Sequence, residues 1–324
     1  MQPPFTQYDL TRAKASGALG IASSPQEHDT FAPFTRFWWY FHQNPDDQKW
    51  YNFSYDVCVQ GITRGKSEFA PDDKYIMISA EGDVIYVLDK DVFEHIPETG
   101  LQAADSRRFG RMQDIQAVGD TLFACGDGRQ FYKREMRGAW QCLAPDLRQP
   151  PSVPRSDYRI MPRINGPNEN EIYAVGQRGS IYFWNGKTVT KLDCPVNSTL
   201  IDIHVERDDV IWICGGDATL LKGNHKTGFH VCPGVGRGTG LFQRMTMLEG
   251  VLYLVASAGN PGGLMKYYNN RLARVVTGLQ PEIRNPHFVD SSHGVLWAMS
   301  LKDIVRFDGN TWERIDFPGH PPIR

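Results

Sequence analysis

The chain has 324 residues, with 31 glycines, 21 prolines, 41% hydrophobic and 12% aromatic residues, enough for two average domains or one large repetitive β-domain. Thirty-five Lys and Arg stand against 37 Asp and Glu, so no global field draws the protein onto phosphate backbones or anionic lipid, and partners bound through bulk charge, nucleic acid and membrane alike, are disfavoured. Residues 1–30 lack the apolar core of a secretory signal and no apolar stretch approaches the ~20 residues of a membrane helix, which points to a cytoplasmic protein.

In chain order, the first strand signals lie in an aromatic stretch at residues 31–59, where two strand-like runs, 35–42 and 49–59, are split by a turn-rich segment at 43–47. The run Phe37-Trp38-Trp39-Tyr40-Phe41 alternates, putting Trp38 and Tyr40 on one face and Phe37, Trp39 and Phe41 on the other. Packing on both faces accounts for it, with a sugar-stacking platform as the alternative. From about residue 66 a single pattern recurs. Its clearest copy is EIYAVGQRGSIYFWNGKTVTKL, residues 171–192: Ile172 and Ala174 alternate with Tyr173 and Val175, residues 176–179 turn the chain, and the return strand 180–184 meets Asn185-Gly186, a strong hairpin signal.

The other copies centre on Ile76, Phe123, Trp212, Tyr253 and Trp297, at steps of 39 to 50 residues. A mean near ~44 matches a four-stranded propeller blade and exceeds the leucine-rich, ankyrin and tetratricopeptide periods. Short strands upstream of the anchors, at 112–118, 201–205, 242–247 and 287–290, supply an innermost strand, and turns such as Asp308-Gly309 and Asn185-Gly186 lead into a fourth. The expected fold is all-β, a single β-propeller of four-stranded antiparallel blades. Seven blades fit the length, with residues 1–65 as a degenerate N-terminal blade or closing segment, 66–318 as six clear blades and 319–324 as a tail; six blades plus an N-terminal arm is the alternative.

The six cysteines form no C-x-x-C pair and read as reduced, mostly buried thiols. Nine histidines are scattered without ligand spacing, although His204 and His287 fall in or beside inner strands, so no metal and no cofactor is expected. The glycine-rich run at residues 234–240 lacks the lysine and following helix of a phosphate loop and reads as a connection between blades, from which Arg237 projects. Arg107, Arg108 and Arg111 cluster in one interblade loop, and Arg155, Arg159 and Arg163 in the next. Loops at this position open onto one face of a propeller, so Arg107, Arg108, Arg111, Arg155, Arg159 and Arg237 form the candidate binding set for an acidic protein surface. The proline-rich loop at 144–159 is a second candidate contact element.

Segments 171–192 and 295–315 resemble the repeat of bacterial propellers that read W-A-V-G, turn, G-x-I, strand, D/N-G-x-W, the photosystem II assembly factor type and its non-photosynthetic relatives. Residues 307–312, FDGNTW, resemble part of the Asp box of sialidase-like propellers, a structural turn even there. The resemblance implies a rigid, monomeric, non-catalytic propeller that binds a protein partner, such as a bacterial immunity or assembly factor. A carbohydrate-binding or glycan-active propeller is the alternative.

Overall fold

The computed structural model describes residues 8–15, 18–25, 32–154, 156–236, 238–257, 259 and 262–323. They form seven antiparallel four-stranded meanders, a seven-bladed β-propeller with almost no helix. Blade 1 is β1 (Tyr8–Ala15), β2 (Leu19–Pro25), β3 (Thr35–Tyr40) and β4 (Trp50–Tyr55), and blade 2 is β5 (Val59–Ser67), β6 (Ala70–Ser79), β7 (Asp83–Tyr86) and β8 (Val92–His95). Blade 3 comprises β9 (Met112–Val118), β10 (Thr121–Gly126), β11 (Gln130–Met136) and β12 (Ala139–Cys142). Blade 4 follows with β13 (Arg163–Asn168), β14 (Glu171–Gly176), β15 (Ser180–Trp184) and β16 (Val189–Leu192). Blade 5 is β17 (Leu200–Arg207), β18 (Val210–Gly215), β19 (Leu220–Asn224) and β20 (Gly228–Val231). Blade 6 is β21 (Phe242–Leu248), β22 (Val251–Ala256), β23 (Gly263–Tyr268) and β24 (Arg271–Arg274), and blade 7 is β25 (Phe288–Ser292), β26 (Val295–Met299), β27 (Ile304–Phe307) and β28 (Trp312–Ile315). The repeat anchors Ile76, Phe123, Tyr173, Trp212, Tyr253 and Trp297 all fall on the second strand of their blade.

Two compact units make up the chain: Met1–Cys58 with Pro233–Arg324, and Val59–Cys232. In the second, the period-2 alternation of each strand serves two neighbours at once. On β14 and β15, Ile172, Ala174, Tyr182 and Trp184 pack against Phe123 and Phe131 of blade 3, while Tyr173, Val175, Ile181 and Phe183 pack against Ile211, Ile213 and Leu221 of blade 5. Both faces are apolar for that reason, and the strands read as near-continuous hydrophobic runs. Where inner strands approach most closely there is no room for a side chain: a Cβ on Gly61 of β5 would lie 2.9 Å from the Ile115 amide nitrogen of β9, and one on Gly65 would lie 2.5 Å from Ala117 Cβ.

The other unit joins the two ends of the sequence. Leu10, Leu19, Ile21, Trp38 and Tyr40 of blade 1 form one core with Phe288, Trp297, Met299, Ile304, Ile315 and Phe317, and the Phe317 ring sits 4.9 Å from Trp38 and 5.4 Å from Trp50, edge-on to both. Among the described residues no strand is exchanged between blades 1 and 7. Side chains and single hydrogen bonds hold the seam instead: Leu10 N donates to the Leu301 carbonyl, Ala15 N to Asp290 Oδ2, and Trp50 Nε1 to the Asp316 carbonyl. The opposite aromatic face of blade 1 departs from the expectation of packing on both sides. Phe37 is buried, but Trp39 and Phe41 continue into Tyr51 and Phe53, which are 43% and 48% exposed on β4. Strand β4 is the last of its sheet, and at that edge the rings meet solvent.

The inner strands of unit 2 are tied by charge. Arg163, at the start of β13, lies 2.7 Å from Asp114 on β9 and 2.9 Å from Asp202 on β17, with all three side chains almost wholly buried. Asp114 also accepts from the Ile164 amide at 3.1 Å. Burial works against the guanidinium's charge, but the two carboxylates outweigh it and hold its pKa above the ordinary value. Replacement Arg163→Met removes the guanidinium that the two buried carboxylates share and is expected to cost about 3–5 kcal/mol, read as a lowered urea midpoint; a midpoint within error of the parent would show that the triad carries no stability.

Candidate functional site

In unit 2 the turn between the second and third strands of each blade is hydrogen-bonded to the loops that lead from blade to blade, so these loops form a continuous rim. Glu81, in the turn of blade 2, accepts from the amides of Leu101 and Gln102 through one oxygen, each at 2.7 Å. Asp127, in the turn of blade 3, accepts from Arg111 N at 3.3 Å and from Gln113 Nε2 at 2.9 Å, and burial pushes its carboxyl pKa up against the Gln113 bond. Gly128 N donates to the Arg159 carbonyl while its own carbonyl accepts from Gln149 N, both at 2.8 Å. Gly179 and Gly216 make the equivalent bonds to Ser198 and Thr199. The Tyr158 hydroxyl donates to the Phe109 carbonyl, linking the two arginine-bearing loops.

The structure sorts the sequence-predicted arginines. Arg107 is 65% exposed, yet its Nε lies 2.8 Å from Glu98 Oε1, and the other Glu98 oxygen takes Arg148 at 3.0 Å, whose guanidinium stacks over Phe109 at 4.4 Å. Arg108 is exposed, with its backbone in the left-handed region at φ 57° and its amide donating to Ser106 Oγ. Arg111 is half-buried beside Asp127. Arg159 turns back onto the Ser156 and Tyr158 carbonyls at 2.8 and 2.9 Å. Arg163 does not belong with this loop cluster, because Asp114 and Asp202 hold it inside the blades. Arg155 and Arg237 lie outside the described residues. What the rim presents is therefore a braced set of loops on which Arg107, Arg108, Arg111 and Arg159 are carried by neighbouring segments.

Sequence reading missed a second site, in the other unit. Arg12, Arg284 and Lys302 line a cavity of about 600 Å³ together with Gln243, His287 and Leu301. They come from β1, the loop into blade 7, and the second-to-third-strand turn of blade 7, positions scattered through the sequence. None of the described residues that line it is acidic. The recurrent bulge of the inner strands contributes: an extra residue enters β1 at Thr11, next to Arg12, and β21 at Gln243 itself, and such bulges re-aim side chains. Equivalent bulges fall at Gln60, Gln113 and Ile201, so the signal exists in sequence only once the register is known.

Other chemistry is absorbed by structure. Among the described residues the four buried carboxylates, Glu94, Asp114, Asp202 and Asp303, are each held by an arginine. No group of His, Cys, Asp or Glu among them gathers as a metal site. The glycine-rich run is followed by strand β21 rather than a helix. Asp308 caps its turn, accepting from the amides of Asn310 and Thr311 at 2.9 and 2.8 Å, and Asn185 does the same for Lys187 and Thr188. The Asp-box likeness is thus met by a turn-building role.

No protein-family model matches the chain. Among curated proteins it is 28% identical over 247 residues to the immune protein Tsi7 of Pseudomonas aeruginosa strain PAO1, spanning 76% of this chain and 77% of that one. Among solved structures it superposes on the WD40 β-propeller domain of Doa1 with a TM-score of 0.63 at 13% identity, covering 93% of each chain. The Cps50 (Swd1) β-propeller domain of Myceliophteria thermophila follows with a TM-score of 0.59 at 10% identity, covering 94% of this chain and 100% of that one. At such identity these two likenesses concern the fold.

The bracing of the rim has a pH signature. His95 on β8 lies 3.0 Å from Asp83 and 3.4 Å from Asp105, which is in the loop carrying Arg107 and Arg108. The Asp83 hydrogen bond leads in raising the imidazole pKa above 6.5, against partial burial, with Asp83 and Asp105 charge adding to it. A raised folded value gives stabilisation that is complete below the unfolded value and is lost as pH rises through the folded one. Amides of residues 98–106 should therefore exchange hydrogen with solvent faster at pH 8 than at pH 6, after correction for intrinsic rates. In His95→Gln that difference should vanish; persistence would assign it elsewhere.

Proposed function

We propose that this propeller is a bacterial immunity protein, a non-catalytic, cytoplasmic binder that covers one cognate toxin with the loops at one end of its blades. The observation that carries the reading is the 28% identity, across three quarters of both chains, to a protein named for immunity. The architecture supports it: a rigid scaffold with hydrogen-bonded loops, arginines displayed on them, and buried carboxylates committed to arginines rather than poised for acid–base chemistry. Preorganised loops limit the entropy lost on association, which favours tight, selective capture.

In the source bacterium, cells lacking this chain should lose to wild-type neighbours in contact co-culture and recover when it is expressed from a plasmid. Equal survival of the two strains would remove the immunity reading and return the assembly-factor role, for which a stable complex in unchallenged cells is the signature. The row of Trp39, Phe41, Tyr51 and Phe53 is the one observation that favours a glycan-binding reading. Binding to a glycan array that disappears in Tyr51→Ala/Phe53→Ala would establish it.

A further inference from the structure

We infer that the basin lined by Arg12, Arg284 and Lys302 seats an acidic side chain of a protein partner, an Asp or Glu with an apolar neighbour. The inference rests on the protein-binding part of the function proposed above and names the chemistry of the partner. The whole chain has a formal net charge of −2, so three cations around one cavity with no acidic residue among the described residues that line it are a local arrangement rather than a reflection of composition. A concave wall of one sign focuses the field inside it.

The carboxylates nearby in blade 7 are already engaged. Asp303 takes a two-pronged contact from Arg314 at 2.8 and 3.0 Å, and Asp290 faces Lys14 at 3.4 Å and the Ala15 amide at 2.9 Å. These bonds also fix the walls. Arg314 reaches on to the Pro281 carbonyl at 2.6 Å, holding the loop that bears Arg284. The turn carrying Leu301 and Lys302 is pinned by Ser300 N to the Asp303 carbonyl and by Leu10 N to the Leu301 carbonyl, both 2.9 Å. Leu301 lines the same basin as these cations and is 49% exposed. An apolar residue held out beside cations suits a carboxylate carried next to an aliphatic or aromatic group, as on a protein surface, and offers a polyphosphate nothing.

The test uses the full-length protein and three probes: a fluorescein-labelled decapeptide of alternating Glu and Leu, its Gln/Leu counterpart, and inorganic tripolyphosphate as competitor. The Glu peptide should bind saturably, at least tenfold more tightly than the Gln peptide, and more weakly as salt is raised. Arg284→Glu/Lys302→Glu should weaken it at least tenfold, and Leu301→Ser severalfold. Arg284→Gln/Lys302→Gln, which avoids charge reversal, serves if the first variant melts early. Glu-peptide binding unchanged by either double variant, equal binding of both peptides, or binding of tripolyphosphate with no binding of the Glu peptide would overturn the inference. Co-culture separates the two proposals. Full protection by the double variant removes the basin and leaves immunity standing, whereas loss of protection by every form, with the Glu peptide still bound, removes immunity and leaves the basin.

Discussion

One guanidinium sets the geometry on which much of unit 2 depends. Arg163 is buried between Asp114 and Asp202, and these three residues belong to the inner strands of three successive blades. Apolar packing between blades is non-directional and would tolerate small slides along the strand axis. Two short ion pairs at right distances tolerate far less. Since the rim loops enter blades 3, 4 and 5 directly ahead of these strands, the loops inherit the register that the triad imposes.

Electrostatics divides the arginines of this chain into two kinds. Some hold structure together: Arg163 in the triad, Arg134 with a fork onto Glu94 at 2.6 and 3.0 Å, and Arg314 with its fork onto Asp303. Others are displayed, as Arg108 and Arg284 are. A bidentate pair is geometrically demanding and, once formed, leaves little of either charge for a partner. Counting basic residues in a loop therefore overstates what that loop can offer, and the distinction lies in carboxylates that are remote in sequence: Glu98 is 50 residues from Arg148, and Asp114 is 49 from Arg163.

How legible each part was follows from the same cause. The second strands were plain in the sequence, because residues such as Ile172–Val175 pack on two neighbours and repeat at blade spacing. The inner strands Met112–Val118 and Phe242–Leu248 are legible to within a residue, since each lies just upstream of its anchor. Strands β1 and β2 carry no such signal. In β1 the bulge at Thr11 breaks the alternation, and β2, Leu19–Pro25, is buried almost throughout while being built from Gly, Ala and Ser as well as Leu and Ile, so it shows neither period nor strong β-propensity. The basin went unseen for a related reason: Arg12 and Lys302 are brought together only by the packing of the first blade on the last.

That packing bears on how the chain emerges from the ribosome. Trp50 meets the carbonyl of Asp316 across 266 residues, which at ~5–20 residues per second is on the order of 10–50 s of synthesis. Through that interval the first blade, with Trp38, Tyr40 and Trp50 on its outer surface, is complete in sequence and lacks the surface it is shaped to meet. Unit 2 can assemble meanwhile from consecutive blades. The nascent N-terminal blade thus waits for blade 7 and the segment after it, and a stop codon placed just before Phe317 would leave Trp38 and Trp50 without the ring that packs edge-on to both.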